Sequence, residues 1–505
     1  MAKSLQPFFH FSNSEQEQRE QLQKNPLMQE YRRLRAEARQ DSTNPSYHFF
    51  APDSRINDPN GLCYWNGQYH LFYQQYPPAC PVQHWGHAVS RDMVHWRDLP
   101  TAIYPDIEEA CYSGNTLVEE DRVIAMYHGR GIGNMIAFSR DPLLLNWEKH
   151  PCNPVIPHLP DQPEAKLPYR VFDPFLWKEE DGYYALSGKY LNGMMKEFLF
   201  FSQDLARWTF LGSLMEENPF VEYGNDGACP YFLPFGEQER ILFFFSHSSG
   251  TRCLIGPYDK ITHRFSPRSC TVFSQDSVAI SSLIAPCAIS DGNGGVYVIY
   301  NIGDSLPTKL HRGMFTLMRH ITPDGCGGLL VKPASQNESL RKKLIYDGAF
   351  SLPANTPTVW RPMGARIELE VELCMNEARA VEVKVLCSRD FREYTSVAVI
   401  RGKNRNTPCG YLSINTLHAS LRPDVVGRIP DSTRFPCNGS EVTLRIFVDN
   451  CIVEAFANNH AAIAQLAYAS QECSNGITLE AIGGNAEIKH LRVWEMDSIY
   501  HDDTD

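Results

Sequence analysis

The spacing of apolar positions changes character once along the chain. Before residue 45 the only clear periodicity is helical. Asn25-Pro26 offers a cap followed by proline at the first helical position, and Leu27, Tyr31, Leu34 and Ala38 then recur at helical spacing among Arg and Glu. This predicts one amphipathic helix over 26–39, packed on the body of the protein. From about residue 46 the texture becomes short aromatic and apolar runs, such as "QYHLFYQQY", "GYYALSGKY" and "RILFFFSH", set between Gly, Pro, Asn and Asp. Runs of that length and composition predict strands, and an all-β protein with a short N-terminal helix.

The strands repeat. "HAVSRDMVHW" closes at Trp96, "IAFSRDPLLLNW" at Trp147 and "LFFSQDLARW" at Trp208. Each is a strand, a Ser-Arg/Gln-Asp turn and a closing tryptophan, and "CLIGPYDKITHRF" is a weaker fourth copy ending at Phe265. Self-similarity at about 40 to 50 residues per repeat is the mark of a β-propeller of four-stranded blades. Beyond about residue 345 the repeat stops. "RIELEVEL" and "VTLRIFVDNCIVEAF" alternate with period two, with a hairpin turn at Asp449-Asn450, and predict a β-sandwich. The expected organisation is therefore a helical extension over 1–45, a propeller over 46–345 and a sandwich over 346–505.

Composition narrows the partners. The chain of 505 residues carries a net charge of -12, with 43% hydrophobic and 21% charged residues and a mean hydropathy of -0.34. That balance disfavours nucleic acid and anionic lipid, which select basic surfaces, and suits a small polar ligand. Fifteen cysteines without a Cys-x-x-Cys pair predict reduced thiols, neither a zinc site nor a disulfide framework. No sustained apolar leader or membrane-length run is present, so a cytoplasmic location is expected.

The stretch "SRINDPNGL" sets Asp58 between asparagine and proline and follows it with Asn60-Gly61. Taken alone it is a surface β-turn. In a propeller the innermost strands converge on the site, so an acid at the end of a strand near the start of a blade instead points into a funnel. "YHFFAPDSRINDPNG", "YHLFYQQYP", "HWGHAVSRDMVHW", "YSGN", "NPVI" and "LRIFVDNCIVEAF" follow one another in an order that resembles glycoside hydrolase family 32, the invertase and fructanase family. The resemblance runs from about residue 46 to the C-terminus. It implies a five-bladed propeller with an appended sandwich, and hydrolysis of terminal β-fructofuranosides with retention.

That chemistry needs two carboxyl groups, one attacking the anomeric carbon and one protonating the leaving oxygen, and no metal or other cofactor. By the resemblance Asp58 is the nucleophile and Asp173 of "YRVFDPFLW" grips fructose hydroxyls. Asn57, Gln74 and Ser113 hold hydroxyls as well, and Trp85 and Tyr112 form apolar walls. Three positions depart from the family pattern. Phe172 stands where the family has arginine, with Arg170 two residues earlier as its replacement. Arg55 stands where tryptophan is usual, and would favour a polar or anionic leaving group. Ala228 of "VEYGNDGACPYF" stands where the acid glutamate belongs. Alanine cannot donate a proton, so the acid has moved to Asp226, has moved to Glu222, or is lost. Asp226 shares a strand face with Ala228, and Gly227 between them can supply a kink.

The expected activity is cleavage of terminal β-D-fructofuranosyl residues from sucrose or related fructosides. Transfer of fructose to a second sugar is the alternative among enzymes. Fructoside binding without turnover is the alternative that Ala228 raises.

Overall fold

The computed structural model describes the chain except for residues 1–5, 42, 160–166, 192, 216–217, 274–282, 304–312, 361–362, 403–407, 426, 438 and 501–505, and the side chain of residue 190. Two helices lead, where one was expected. Helix α1 spans Glu15–Lys24 and α2 spans Pro26–Ala38. Asn25 separates them, and its side chain accepts from the backbone N–H groups of Leu27 and Met28. α1 escapes a search for apolar spacing because it docks through a buried amide. Gln18 donates to Asp141 at 2.7 Å and accepts from the Leu143 N–H.

Between residues 55 and 333 the described residues form five sheets of four or five strands, each built from consecutive strands. Their first strands are Arg55–Trp65, Cys111–Val118, Pro174–Glu179, Ala228–Phe235 and Leu283–Ser290. Each first strand packs against that of the next sheet, and that of the fifth packs against that of the first. The ring so closed is a propeller arrangement, with apolar clusters filling the spaces between neighbouring sheets.

The repeat seen in the sequence is a capped turn between third and fourth strands. Asp92 accepts from the N–H groups of Val94 and His95, Asp204 from those of Ala206 and Arg207, and Asp141 from those of Leu143, Leu145 and Asn146. Ser90, Ser139 and Ser202 each donate to the aspartate two residues on. The closing indoles of Trp147 and Trp208 both donate to the carbonyl three residues back, at 2.8 and 3.0 Å. The weaker fourth copy keeps the cap, with Asp259 accepting from Ile261 and Thr262. Successive strands are antiparallel, so these caps sit at the end of the ring opposite to that where the first strands begin.

The remaining strands form two six-stranded sheets packed on their own apolar core. Their first strand, Arg341–Leu352, begins ahead of the expected boundary at 345/346 and crosses it. Most of its side chains are exposed or half-buried and its pairing with Ala486–Met496 carries three register shifts, so no two-residue alternation marks its start. The two parts of the chain share a buried charge cluster. His48 lies 2.9 Å from Asp449 and 3.1 Å from Glu454, and Arg319 lies 2.8 Å from Glu454.

Candidate active site

All five sheets contribute to one cluster at the end of the ring where the first strands begin. Asn57 and Asp58 lie in the first strand of the first sheet. The Asn60-Gly61 pair that suggested a turn is part of a bulged strand, with irregularities between Ile56 and Pro59 and between Asn60 and Cys63. Gly61 has φ +54, and a Cβ there would stand 2.7 Å from Thr116 of the second sheet. Glycine is thus required by backbone conformation and by close packing, and the bulges rotate Asp58 inward.

Asp58 is buried and its Oδ2 accepts from Gln74 Nε2 at 3.0 Å and Ser113 Oγ at 2.6 Å. Gln74 is itself fixed by accepting from Asn57 Nδ2 at 3.2 Å, and Asn57 accepts from Asn301 of the fifth sheet at 2.9 Å. Asp173 precedes the first strand of the third sheet and accepts from the Cys229 N–H at 3.1 Å. Burial, and after it the charge of Asp58, pushes the Asp173 carboxyl up to about 7. Burial also raises Asp58, but hydrogen bonds from Ser113 and Cys229 and the charge of His247 oppose it. Two carboxyls this close do not both ionise readily, and the one with more side-chain donors carries the charge. Asp58 is therefore the anion and Asp173 holds the proton in weak acid.

Asn57, Asp58, Gln74, Ser113 and Asp173 are thus brought together, and Tyr112 lies half-buried beside Ser113. Trp85, expected as an apolar wall, is instead 0% exposed. Its ring packs with Phe72 and Tyr127 in the core between the first two sheets, and its indole donates to the Tyr112 carbonyl at 2.8 Å. It supports the Tyr112 backbone and presents no face to solvent. Arg55 is exposed at the rim, 5.3 Å from the centre of the Tyr76 ring. Arg170 is half-buried, and its charge falls on Lys189 and His158. Lys189 was not anticipated. Its ammonium lies 4.1 Å from the Phe172 ring centre, which places a cation over the position where arginine was expected.

The surroundings of Ala228 differ from expectation. Ala228 is 1% exposed and packs with Phe245 and Ile284. Asp226, expected as a proton donor, uses both oxygens as acceptors toward one residue, taking the His247 N–H at 3.1 Å and His247 Nδ1 at 2.6 Å. It is a carboxylate that orients an imidazole. The Glu222 side chain is 68% exposed and pairs with Arg252 at 3.2 Å, so it faces solvent. Sequence reasoning missed Glu197, a fully buried glutamate in the strand Met194–Ser202 with neither oxygen hydrogen-bonded. Burial, together with the charges of Asp226 and Asp173, holds it well above the usual carboxylate range. Its carboxyl lies against Gly188 and Gly227, where a Cβ would approach within 2.5 to 2.7 Å. The visible signal was one glutamate sharing a strand face with Met195 and Leu199.

Among the described residues no cluster of three or more His, Cys, Asp or Glu is placed to hold a metal ion, and no helix is long and apolar enough to cross a membrane. A cavity of about 750 Å³ lies away from this cluster, between α2 and the first sheet.

Residues 48–333 match the glycosyl hydrolases family 32 N-terminal domain, and residues 334–495 match the family 32 C-terminal domain. A levanase of Bacillus subtilis is 25% identical over 90% of this chain and 71% of its own length. A sucrose-6-phosphate hydrolase of Escherichia coli is 25% identical over 91% of this chain and 96% of its own. Among solved structures, fructan 1-exohydrolase IIa from Cichorium intybus superposes with a TM-score of 0.78 at 20% identity, over 91% of this chain and 98% of that one. The sucrose-6-phosphate hydrolase of Lactobacillus gasseri superposes with a TM-score of 0.72 at 21% identity, over 97% and 100%.

Proposed function

Because the chain belongs to glycoside hydrolase family 32, and its relatives are hydrolases of fructans and sucrose derivatives, we propose that this fructoside hydrolase releases terminal β-fructofuranosyl residues with retention through Asp58. The observation that carries this is the Asp58 carboxyl, held by Gln74 and Ser113. These two donors and the Cys229 thiol, all on one oxygen, keep the anion ionised and aimed while the other oxygen stays available to attack.

In the first half of the reaction Asp58 forms a bond to the anomeric carbon as the glycosidic bond breaks. In the second, water displaces Asp58. Asn57, Gln74 and Ser113 line the path of the sugar with paired amide and hydroxyl groups, which suit a polyol. Asp173 binds fructose hydroxyls, and Tyr112 forms the apolar wall. Arg170 and Lys189 supply positive charge near Phe172. Arg55 at the rim supports a polar or anionic leaving group, and sucrose 6-phosphate belongs among the first substrates to test.

The five sheets are taken as the blades of one propeller, and the sandwich as its packing partner. A cytoplasmic location is supported by fifteen cysteines that are all free thiols. The test is product analysis with sucrose, sucrose 6-phosphate, inulin and levan. In the presence of methanol, a retaining enzyme gives methyl β-fructofuranoside and an inverting one gives none of that anomer. Asp58→Asn should abolish both products while the protein stays folded, and turnover by that variant would remove the nucleophile assignment.

A further inference from the structure

A sugar leaving as an alkoxide needs a proton, and Ala228 cannot supply one. The antiparallel pairing of Ala228 with Phe245, continued by two residues toward the site, sets Asp226 opposite His247. There both Asp226 oxygens engage His247, through its backbone N–H and its Nδ1. Phe245 lies edge-on to the imidazole with ring centres 5.0 Å apart. The ring is thus fixed at one nitrogen and one face. Among the described residues, its Nε2 has no hydrogen-bond partner.

We propose that His247, oriented by Asp226, is the proton donor of this hydrolase, replacing the glutamate that Ala228 displaces. The proposal rests on the fructosidase reading of Asp58 and adds its partner. In the first half-reaction an Asp58 oxygen bonds to the anomeric carbon. The electron pair of the broken glycosidic bond goes to the leaving oxygen, which takes the proton from His247 Nε2. In the second half-reaction the neutral imidazole takes a proton from the attacking water, whose oxygen bonds to the anomeric carbon, and Asp58 leaves as a carboxylate. Protons and electrons balance within the site, and both residues return to their starting states.

The electrostatics agree with the geometry. The hydrogen bond that His247 donates to Asp226 raises its value above the ordinary one, burial opposes it, and the charges of Asp226, Asp173 and Asp58 raise it further. The influence is mutual, since the imidazolium charge lowers both Asp58 and Asp173. Other charges reach this group of residues indirectly. Lys189 interacts with Asp173 and Asp226, and burial with the charges of those two carboxyls raises Glu197. Glu197 is fully buried with its carboxyl against Gly188 and Gly227, and Glu222 faces solvent beside Arg252. His247, with its side chain 56% exposed, can both hold a proton and reach a ligand.

The test compares sucrose with a nitrophenyl β-fructofuranoside, whose leaving group needs no proton. His247→Gln should lower kcat on sucrose by about 10²- to 10⁴-fold while changing aryl fructoside turnover by less than about tenfold, and the retained aryl activity reports a folded site. The alkaline limb of kcat/KM on sucrose should disappear in the residual activity of His247→Gln. Asp226→Asn should move that limb to lower pH. Adding Ala228→Glu to His247→Gln should restore sucrose cleavage.

Equal losses on both substrates, or none, would overturn the proposal. A leaving-group-dependent loss in Glu197→Gln would move the role to that residue and also overturn it. If the parent is inert on sucrose but Ala228→Glu is active, His247 is not the donor and the Asp58 reading stands. If both are inert on every fructoside, the fructosidase reading itself fails.

Discussion

Asp58 and Asp173 share one thiol. Cys229 Sγ lies 3.5 Å from Oδ2 of each, so the two carboxyl oxygens are held no more than twice that distance apart. Burial, with the charges of Asp58 and Asp173, keeps the thiol protonated, and it can donate to either acid. Cys229→Ala should therefore weaken the ionised form of the pair. The expected result is a loss of about 2- to 10-fold in kcat/KM on the acid side, from ~0.5–1.5 kcal/mol for one neutral hydrogen bond. Cys229→Ser should keep most of the activity. Steady-state rates between pH 4.5 and 7 would decide, and an unmoved acid limb in the alanine variant would show that the thiol only fills space.

Asp173 titrates where enzymes are commonly assayed. Burial and then the charge of Asp58 lift it to about 7, so below that pH it carries a proton and above it places a second negative charge beside the nucleophile. The pair titrates as a unit. The profile of kcat/KM should bend near pH 7, and Asp173→Asn should remove the bend while weakening fructose recognition. Inhibition by free fructose, measured at pH 5.5 and 8, should depend on pH in the parent and not in the variant.

Glu197 gives a stability prediction with a definite sign. Its folded value is raised above the ordinary 4.5 by burial and by Asp226 and Asp173. The folded state therefore binds a proton that the unfolded chain releases above about pH 4.5. Stability is fully present below that value and declines as pH rises through the folded value. Glu197→Gln keeps the shape and removes the titration, so it should be more stable than the parent at pH 7 to 8 and nearly equal at pH 4.5. Chemical denaturation at the two pH values tests this, and a variant less stable at both would mean that the glutamate is held by an interaction that the buried geometry does not contain.

His48 predicts a second alkaline loss. Burial lowers its proton affinity, but the hydrogen bonds it donates to Asp449 and Glu454, together with their charges, outweigh it and push it up to about 9. The contribution is complete below its ordinary 6.5 and disappears as pH rises through about 9. His48→Gln should cost about 3–5 kcal/mol at pH 6, the usual penalty for breaking a buried pair. Its stability should then vary less than the parent's between pH 6.5 and 9.5. A parallel pH dependence in parent and variant would exclude His48 as the titrating group.

Those features of the fold that repeat were legible in the sequence, because a Ser-x-Asp cap and a closing tryptophan are local and can be counted. α1 was not, since a helix docked by Gln18 leaves no apolar stripe. Asp58, Asp173 and their amide neighbours could be picked out as ordered blocks. Trp85 could not be placed from its block, because an aromatic in a fully buried strand looks the same whether it faces a pocket or a core. His247 sits in "FFFSHSSG" with no spacing that links it to Asp226. Only the register between the strands Ala228–Phe235 and Glu239–Ser246 sets the two opposite each other. Glu197 needed the same knowledge of which strand face is inward.

The position of the Ser-Asp caps divides the labour between the two ends of the ring. Each cap joins a third strand to a fourth, at the end remote from Asp58. The connections between second and third strands open at the near end, where His247 follows Ser246. Folding information is thus concentrated on one rim and chemistry on the other. A proton donor can pass from a strand to a neighbouring turn, as from the position of Ala228 to His247, without disturbing any element that closes a blade. Insertions after Tyr76, at the end of the second strand of the first sheet, should therefore change substrate choice at little cost in stability. The same insertions beside Asp92 or Asp204 should impair folding.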